Sequence, residues 1–455
     1  MNNNQKKGFC KLSRLQRIGL GAGDLAQNLI YQAVSLYLLF FYTDVYVLGG
    51  DAAKSAGLAG ILFLAVRLVD VLWTPLIGKF VDKHNPVWGK YRSYLVMGGI
   101  PLTILFILCF WDGFKSDIIY ACITYLGMAL LYTLTSVPFG TLNSSLALNT
   151  SENATLTNTR MFMANIGGLC VSAGVPVMVA VLAGKDLPLK MSFFMALGSL
   201  PSFIIIPMMP AIKRRVGRKN MFYLFLSAAI IGMATLYIIS RMGAVKENIV
   251  PVYIAQFVRS TGIIVATVYM WSLIPEAISF GEHTTGRRIS GILNTVTGIF
   301  FKAGIALGGI ISGWVLAGTN YKAAVQSQTM PKDSNAWFLT MFVFAVVCVV
   351  LLLFCFSQAK ERVAMDKSEK KKNVKTSNLW AEFRRNRQLR IVALFFITVS
   401  VMMSVGNAAS VYFLNDLELQ DPMAQEGIRW LVSVIPAILL VIAMFIISKF
   451  ELNEA

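Results

Sequence analysis

Several charged residues lie inside apolar runs, where an ionisable side chain is costly unless it faces a partner or a wet cavity. Arg67 and Asp70 fall three apart in LAVRLVDVLWTPLIG, on one helical face where they can pair. Arg259 lies in IAQFVRSTG, and Lys302 lies in TGIFFKAGIALGG, too deep to snorkel to an interface. A carboxylate at such depth can take up a proton or a cation, and a buried ammonium needs a carboxylate. Asp70 is the best-placed partner for Lys302. Further polar residues extend the pattern: Asp24 and Asn28 are four apart in GAGDLAQNLIYQ, with Tyr31 and Gln32 a turn further on. Tyr132, Thr133 and Ser136 precede Pro138, with Asn143 beyond it, and the proline frees backbone carbonyls that a cavity can use. These groups suit hydrogen bonding to a small polar solute. The competing reading assigns Arg67 and Asp70 to a pair that merely locks helices, the hydroxyls to helix–helix bonds, and Arg160 and Arg259 to interfacial anchors.

The elements that position these residues are apolar runs long enough to cross a bilayer. Spans are expected near 23–47, 57–80, 92–112, 118–142, 161–184, 191–212, 221–241, 250–274, 289–317, 336–358, 390–414 and 429–449. The fold class is therefore an all-α polytopic membrane protein with about twelve transmembrane helices. Composition agrees: 56% hydrophobic and 14% charged residues over 455 positions, against about 25% charged in a soluble domain. The opening MNNNQKKGFCKLSRLQR is basic and lacks a short apolar core and cleavage site, so the first span is expected to insert the chain.

Lys and Arg alternate between sides of the membrane. The first residues, 79–92 (KFVDKHNPVWGKYR), 213–219 (KRRVGRK), Arg287 with Arg288, and the 359–390 linker share one face, read as cytoplasmic with both termini. The net charge of +18 is thus an attraction to anionic lipid and calls for no nucleic acid. The linker segment 378–390 has an amphipathic look and suits a membrane surface or a solvated tether. The two short basic loops at 79–92 and 213–219 suggest repeated halves, as in many secondary transporters. Five of six cysteines lie in spans, Cys10 lies in the basic first residues, and no CxxC occurs, so they read as filler. His84 and His283 lie in loops and serve no intramembrane proton relay. No HExxH, metal-spaced aspartate pair or Walker loop is present, which argues against an enzyme, and no cofactor or metal is expected.

GDLAQNLIYQAVSLYLLFFYTDV, RLVDVLWTPLIGKFVDKHNPVWGKYRSYL, YTLTSVPFGTLNS and ISFGEHTTGRRISGILNTVTGIFFKAG resemble the glycoside-pentoside-hexuronide:cation symporters, the melibiose-permease-like branch of the major facilitator superfamily. The resemblance implies two six-helix bundles, alternating access, a cell-membrane location, and sugar transport by symport with H+ or Na+. Residue by residue it carries a cation-coupling role to Asp70 and Thr133. Thr74 stands where sodium-coupled relatives have a second acid, and Trp73 where they have an asparagine, so proton coupling is expected over sodium. Asn28 and Ser136 occupy the positions of the sugar-binding acids, and Thr267 lies near that of the sugar-stacking tryptophan. Tyr132, Arg160 and Lys302 match. Asn28, Tyr31, Arg67, Tyr132, Ser136, Arg160 and Lys302 are the expected solute-binding set.

The order of the blocks departs from the family. Residues 1–187 resemble helices one to five, 188–330 helices eight to eleven, 331–420 helices six and seven with the 359–390 linker, and 421–455 the last helix. Each exchanged block holds an even number of spans, so every helix keeps its direction. The expected function is cation-coupled transport of a sugar, glycoside, pentoside or hexuronide. A lysolipid or other amphiphile carrier on the same scaffold, and a non-transporting sensor or inactive scaffold, are the alternatives.

Overall fold

The computed structural model describes residues 13–84, 86, 88–89, 91–146, 150–242, 248–285, 290–322, 332–358, 387–415 and 421–448. Outside them fall Cys10, Arg287, Arg288 and most of the 359–390 linker; the side chains of Asn143 and His283 are likewise not described.

The apolar runs form helices because lipid offers backbone N–H and C=O groups no partner, and a helix satisfies them within the segment. We number them α1 (Arg14–Ala33), α2 (Ser55–Lys83), α3 (Ser93–Met97), α4 (Gly99–Cys109), α5 (Ile118–Leu146), α6 (Thr150–Leu182), α7 (Leu189–Val216), α8 (Arg218–Arg241), α9 (Val250–Thr285), α10 (Ser290–Gly318), α11 (Ser334–Gln358), α12 (Arg387–Asn415), α13 (Pro422–Arg429) and α14 (Ile435–Ser448). Ten segments among the described residues are long and apolar enough to cross a membrane. The two remaining expected spans are present but interrupted. The helix begun by α1 runs through π-helical turns at Val34–Leu38 and Phe41–Val45, and the third span is broken between α3 and α4 at Gly98.

Helix ends correct several expected boundaries. The first helix starts nine residues before position 23 because Ser13 and Gln16 form a reciprocal cap: Gln16 N–H donates to Ser13 Oγ at 3.2 Å and Ser13 N–H to Gln16 Oε1 at 3.1 Å. The helix of the fifth span begins at Thr150 and its apolar segment at Thr155, not 161, which places Arg160 inside α6. The expected 213–219 loop reduces to one residue, Gly217, whose φ of 80° suits a residue without Cβ. Asp421 caps the final helix by accepting from Ala424 N–H at 2.8 Å, with Pro422 at the first helical position.

The chain divides into two compact units, 1–55 with 68–192 and 325–369, and 56–67 with 193–324 and 370–455. In the first unit α11 runs antiparallel along α1. A Cβ on Gly19 would meet Gln358, and one on Gly23 would lie 2.8 Å from Cys355 Sγ. Further along, Cys348 Sγ–H donates to the Ala26 carbonyl at 3.4 Å, and the fully buried Trp337 lies against Tyr37, Phe40 and Phe41. Lys332, just before α11, donates to Asp44 Oδ1 at 3.1 Å, and Thr43 donates to Asp44 Oδ2 at 2.7 Å. Arg92 stacks over Phe356 at 4.5 Å, tying the loop before α3 to the last turn of α11.

In the second unit glycines set the closest approaches, as is usual where lipid leaves little hydrophobic drive between helices. α10 and α12 lie parallel, with Gly304 beside Ile397 and Ser400 and Gly308 beside Ser404, whose hydroxyl donates to the Ile305 carbonyl at 3.0 Å. α8 and α9 form an antiparallel hairpin, with Gly232 against the backbone of Arg259 and Gly262 against Ala229. A core of Phe222, Tyr269, Phe395, Phe396 and Met402 fills the space among α8, α9 and α12.

Candidate functional site

In the first unit the expected polar residues come from four helices. Asp70, on α2, is 1% exposed, and Thr133, on α5, is fully buried. The Thr133 hydroxyl donates to Asp70 Oδ1, so the carboxylate is held by a residue 63 positions away in sequence. Thr74 donates its hydroxyl to the Asp70 carbonyl at 2.9 Å, one turn along α2 and directly before Pro75. The three residues expected to serve the cation therefore share one locality, with Thr74 touching the backbone of Asp70.

A turn-by-turn polar face on α1 meets α5 and α6. Tyr31 and Tyr132 bring their rings to 6.2 Å between centroids, joining α1 to α5, and Ser136 lies half-buried one turn beyond Tyr132. Asn28 is half-buried and donates to the Asp24 carbonyl at 3.1 Å. α6 approaches this face because Gly167 has no side chain: a Cβ there would sit 3.0 Å from the Leu25 carbonyl and 3.3 Å from Asn28 Cβ. Two turns away that approach sets Arg160 against Asp24. The guanidinium donates to both carboxylate oxygens, from Nε to Oδ2 and from Nη2 to Oδ1 at 3.2 Å, and lies over the Phe139 ring at 4.5 Å. The two side chains are only 16% and 17% exposed, so Arg160 is no interfacial anchor. Asp24 is the residue that the solute-binding set omitted. Its signal was present, an acid four before Asn28 inside an apolar run, but nothing local pointed to a cation 136 positions away.

Arg67 is half-buried on α2, and Lys302 is half-buried on α10 of the second unit. Thr267 donates to the Ile263 carbonyl at 2.9 Å and to Met403 Sδ at 3.4 Å. Arg259 is not at an interface: it is 4% exposed in the core of the second unit, where Nη1 donates to Gln256 Oε1 at 2.9 Å.

Polar stripes and paired charges thus lie on membrane-crossing helices, and comparison with known proteins gives the family. A family model described as MFS/sugar transport protein matches residues 19–188, 185–333 and 326–418. The chain belongs to this family. Among its relatives, the uncharacterized symporter YnaJ of Bacillus subtilis (strain 168) is 32% identical, the match covering 75% of this chain and 91% of that protein. The putative glycoside/cation symporter YagG of Escherichia coli (strain K12) is 25% identical, over 75% of this chain and 90% of its own length. The isoprimeverose transporter of Lactiplantibacillus pentosus is 23% identical, over 78% and 91%. The glycoside-pentoside-hexuronide:cation branch that the motifs resemble is thus the right one, and this multi-pass membrane protein is a transporter and not an enzyme.

Proposed function

We propose that this transporter carries a sugar, glycoside, pentoside or hexuronide by alternating access, in symport with a proton. The observation that carries the reading is the buried Asp70 carboxylate gripped by Thr133, with Thr74 on the adjoining turn. One acid stands where sodium-coupled relatives carry two, which favours a proton over a bare sodium ion. Protonation removes the charge that Thr133 stabilises and so changes how strongly α2 and α5 are held together, the differential interaction needed to bias two conformations. The solute face is formed by Asn28, Tyr31, Tyr132 and Ser136, with Asp24 and Arg160 offering a fixed donor–acceptor pair to sugar hydroxyls and aromatic rings available for stacking. The names of the relatives, a glycoside/cation symporter and an isoprimeverose transporter, support the solute class. Arg67 and Lys302, both half-buried in the second unit, are the remaining members of the expected set.

The same reading puts the protein in the cell's inner membrane with both termini cytoplasmic, on the alternation of basic loops. It also treats 188–330 and 331–420 as exchanged relative to the family order. The grouping of α11 with α1 to α6 in the first unit supports that view, since α11 resembles the family's sixth helix. Uptake of radiolabelled glycosides, pentosides and hexuronides into proteoliposomes tests the proposal, with proton and sodium gradients imposed separately. Accumulation driven by protons and abolished in Asp70→Asn, with exchange of solute retained, is the expected result. Accumulation unchanged in that variant refutes the role of Asp70.

A further inference from the structure

Tyr37 lies outside the solute face, on the part of the first span where the bonding departs from that of an α-helix. It is fully buried within the π-helical turn Val34–Leu38, and a second π-turn, Phe41–Val45, follows. Its hydroxyl donates to the Ser172 carbonyl on α6 at 2.8 Å. Pro176 lies inside α6 and has no N–H, so the Ser172 carbonyl, four residues before it, receives no helical bond from position 176. Within lipid a carbonyl released by proline draws its donor from a neighbouring helix, and Tyr37 supplies one. The two irregular turns meet because α1 and α6 run parallel. Met163 lies against Gly21, Arg160 against Asp24, Gly167 against Leu25 and Asn28, Gly168 beside Gln32, and Ser172 against Tyr37. Asn28, Tyr31 and Arg160 all precede these turns along their helices, and the buried stretch Leu38–Asp44 follows on the first span. A π-turn and an interior proline are both places where a helix bends.

We propose that the Val34–Leu38 turn and Pro176 form a paired hinge within the first unit, and that Tyr37 is the positioning residue that keeps its two halves in step. The inference rests on the carrier reading above and adds to it the place where the first unit bends. Bending at one turn alone would draw Tyr37 Oη away from the Ser172 carbonyl and leave a buried acceptor without its donor. Bending at both together keeps the bond. The solute-face segments of α1 and α6 therefore move as a pair against the far ends of the same helices, which is the change a carrier needs to open by turns to either side. The Tyr37 ring also lies against Trp337, 6.0 Å between centroids, so Tyr37→Phe keeps that packing and removes only the donor.

The test is a two-residue cycle on the purified full chain, read by unfolding in one detergent and by uptake of the radiolabelled panel into proteoliposomes. Tyr37→Phe is expected to shift the unfolding equilibrium by about tenfold. The same change in a Pro176→Ala background should shift it by roughly twofold at most, since the alanine N–H then serves the Ser172 carbonyl. Pro176→Ala alone should unfold no more readily than the wild type yet slow the initial rate of uptake by about tenfold, because a straightened α6 bends less readily. Amide hydrogen exchange of the unaltered protein adds a check that needs no variant: residues 34–38 and 173–180 should exchange faster than the neighbouring turns of the same helices, although they are buried. Equal loss from Tyr37→Phe in both backgrounds, unchanged uptake in Pro176→Ala, or exchange no faster than in the neighbouring turns overturns the hinge and leaves the sugar carrier standing. A panel of which the wild type carries no member removes the sugar reading, and the unfolding cycle and hydrogen exchange then decide the hinge by themselves.

Discussion

Removing one partner of the Asp24–Arg160 pair should cost far more than removing both. With Nη2 and Oδ1 3.2 Å apart, two unit charges attract by about 5 kcal/mol at an effective dielectric of about 20. The side chains are 16% and 17% exposed, so screening by water is limited but the cost of desolvating each charge is real. Arg160→Gln leaves Asp24 buried without its cation, and Asp24→Asn leaves the guanidinium over Phe139 without its anion; each should destabilise the fold by about 3 kcal/mol, the range for breaking a buried pair. The double variant keeps an amide–amide contact and strands no charge. Its loss should fall short of the sum of the singles by about 2 to 3 kcal/mol, the coupling energy of the cycle. Denaturant-driven unfolding of the three variants in one detergent, followed by helical circular dichroism, gives all the terms. Strict additivity refutes the reasoning, because it means that the two charges do not feel each other and that the short contact carries no energy.

Two further outcomes follow from the packing. Thr133→Val keeps the shape of the residue but removes the donor that stabilises the charged Asp70 carboxylate, and should strengthen apparent proton affinity in transport by roughly tenfold to a hundredfold, the worth of a hydrogen bond to a charged group; a pH profile of uptake unchanged from wild type contradicts it. On α10, Gly304→Ala should destabilise by about 1 to 3 kcal/mol, since the new Cβ would sit 2.7 Å from the Ile397 carbonyl. Gly298→Ala on the same helix meets nothing within 4 Å and should be neutral or stabilising by about 0.5 to 1 kcal/mol, which thermal unfolding of the two variants compares directly.

What the sequence determined by itself is whatever depends on local properties. Apolar runs place the spans to within a few residues for most helices, because crossing lipid is a matter of length and hydropathy. The motifs around Asp70, Thr133 and Lys302 are contiguous strings and carry the family with them. Where a local device extends a helix, pattern reading stopped short: the Ser13 cap draws the first helix out beyond its apolar stretch, and Gly217 alone turns the chain where a seven-residue loop was expected. Tertiary structure decided everything that joins distant residues. The partner of Arg160 is Asp24, and the reading of Arg259 as an interfacial anchor fails because Gly406 and Gly232 make room for it inside the second unit. The grouping of α11 with the first helices was likewise beyond hydropathy, which ranks a segment's preference for lipid and says nothing of its neighbours. Those are chosen by which glycines allow two backbones to approach and which side chains then find a bond, and that choice exists only once the helices are packed.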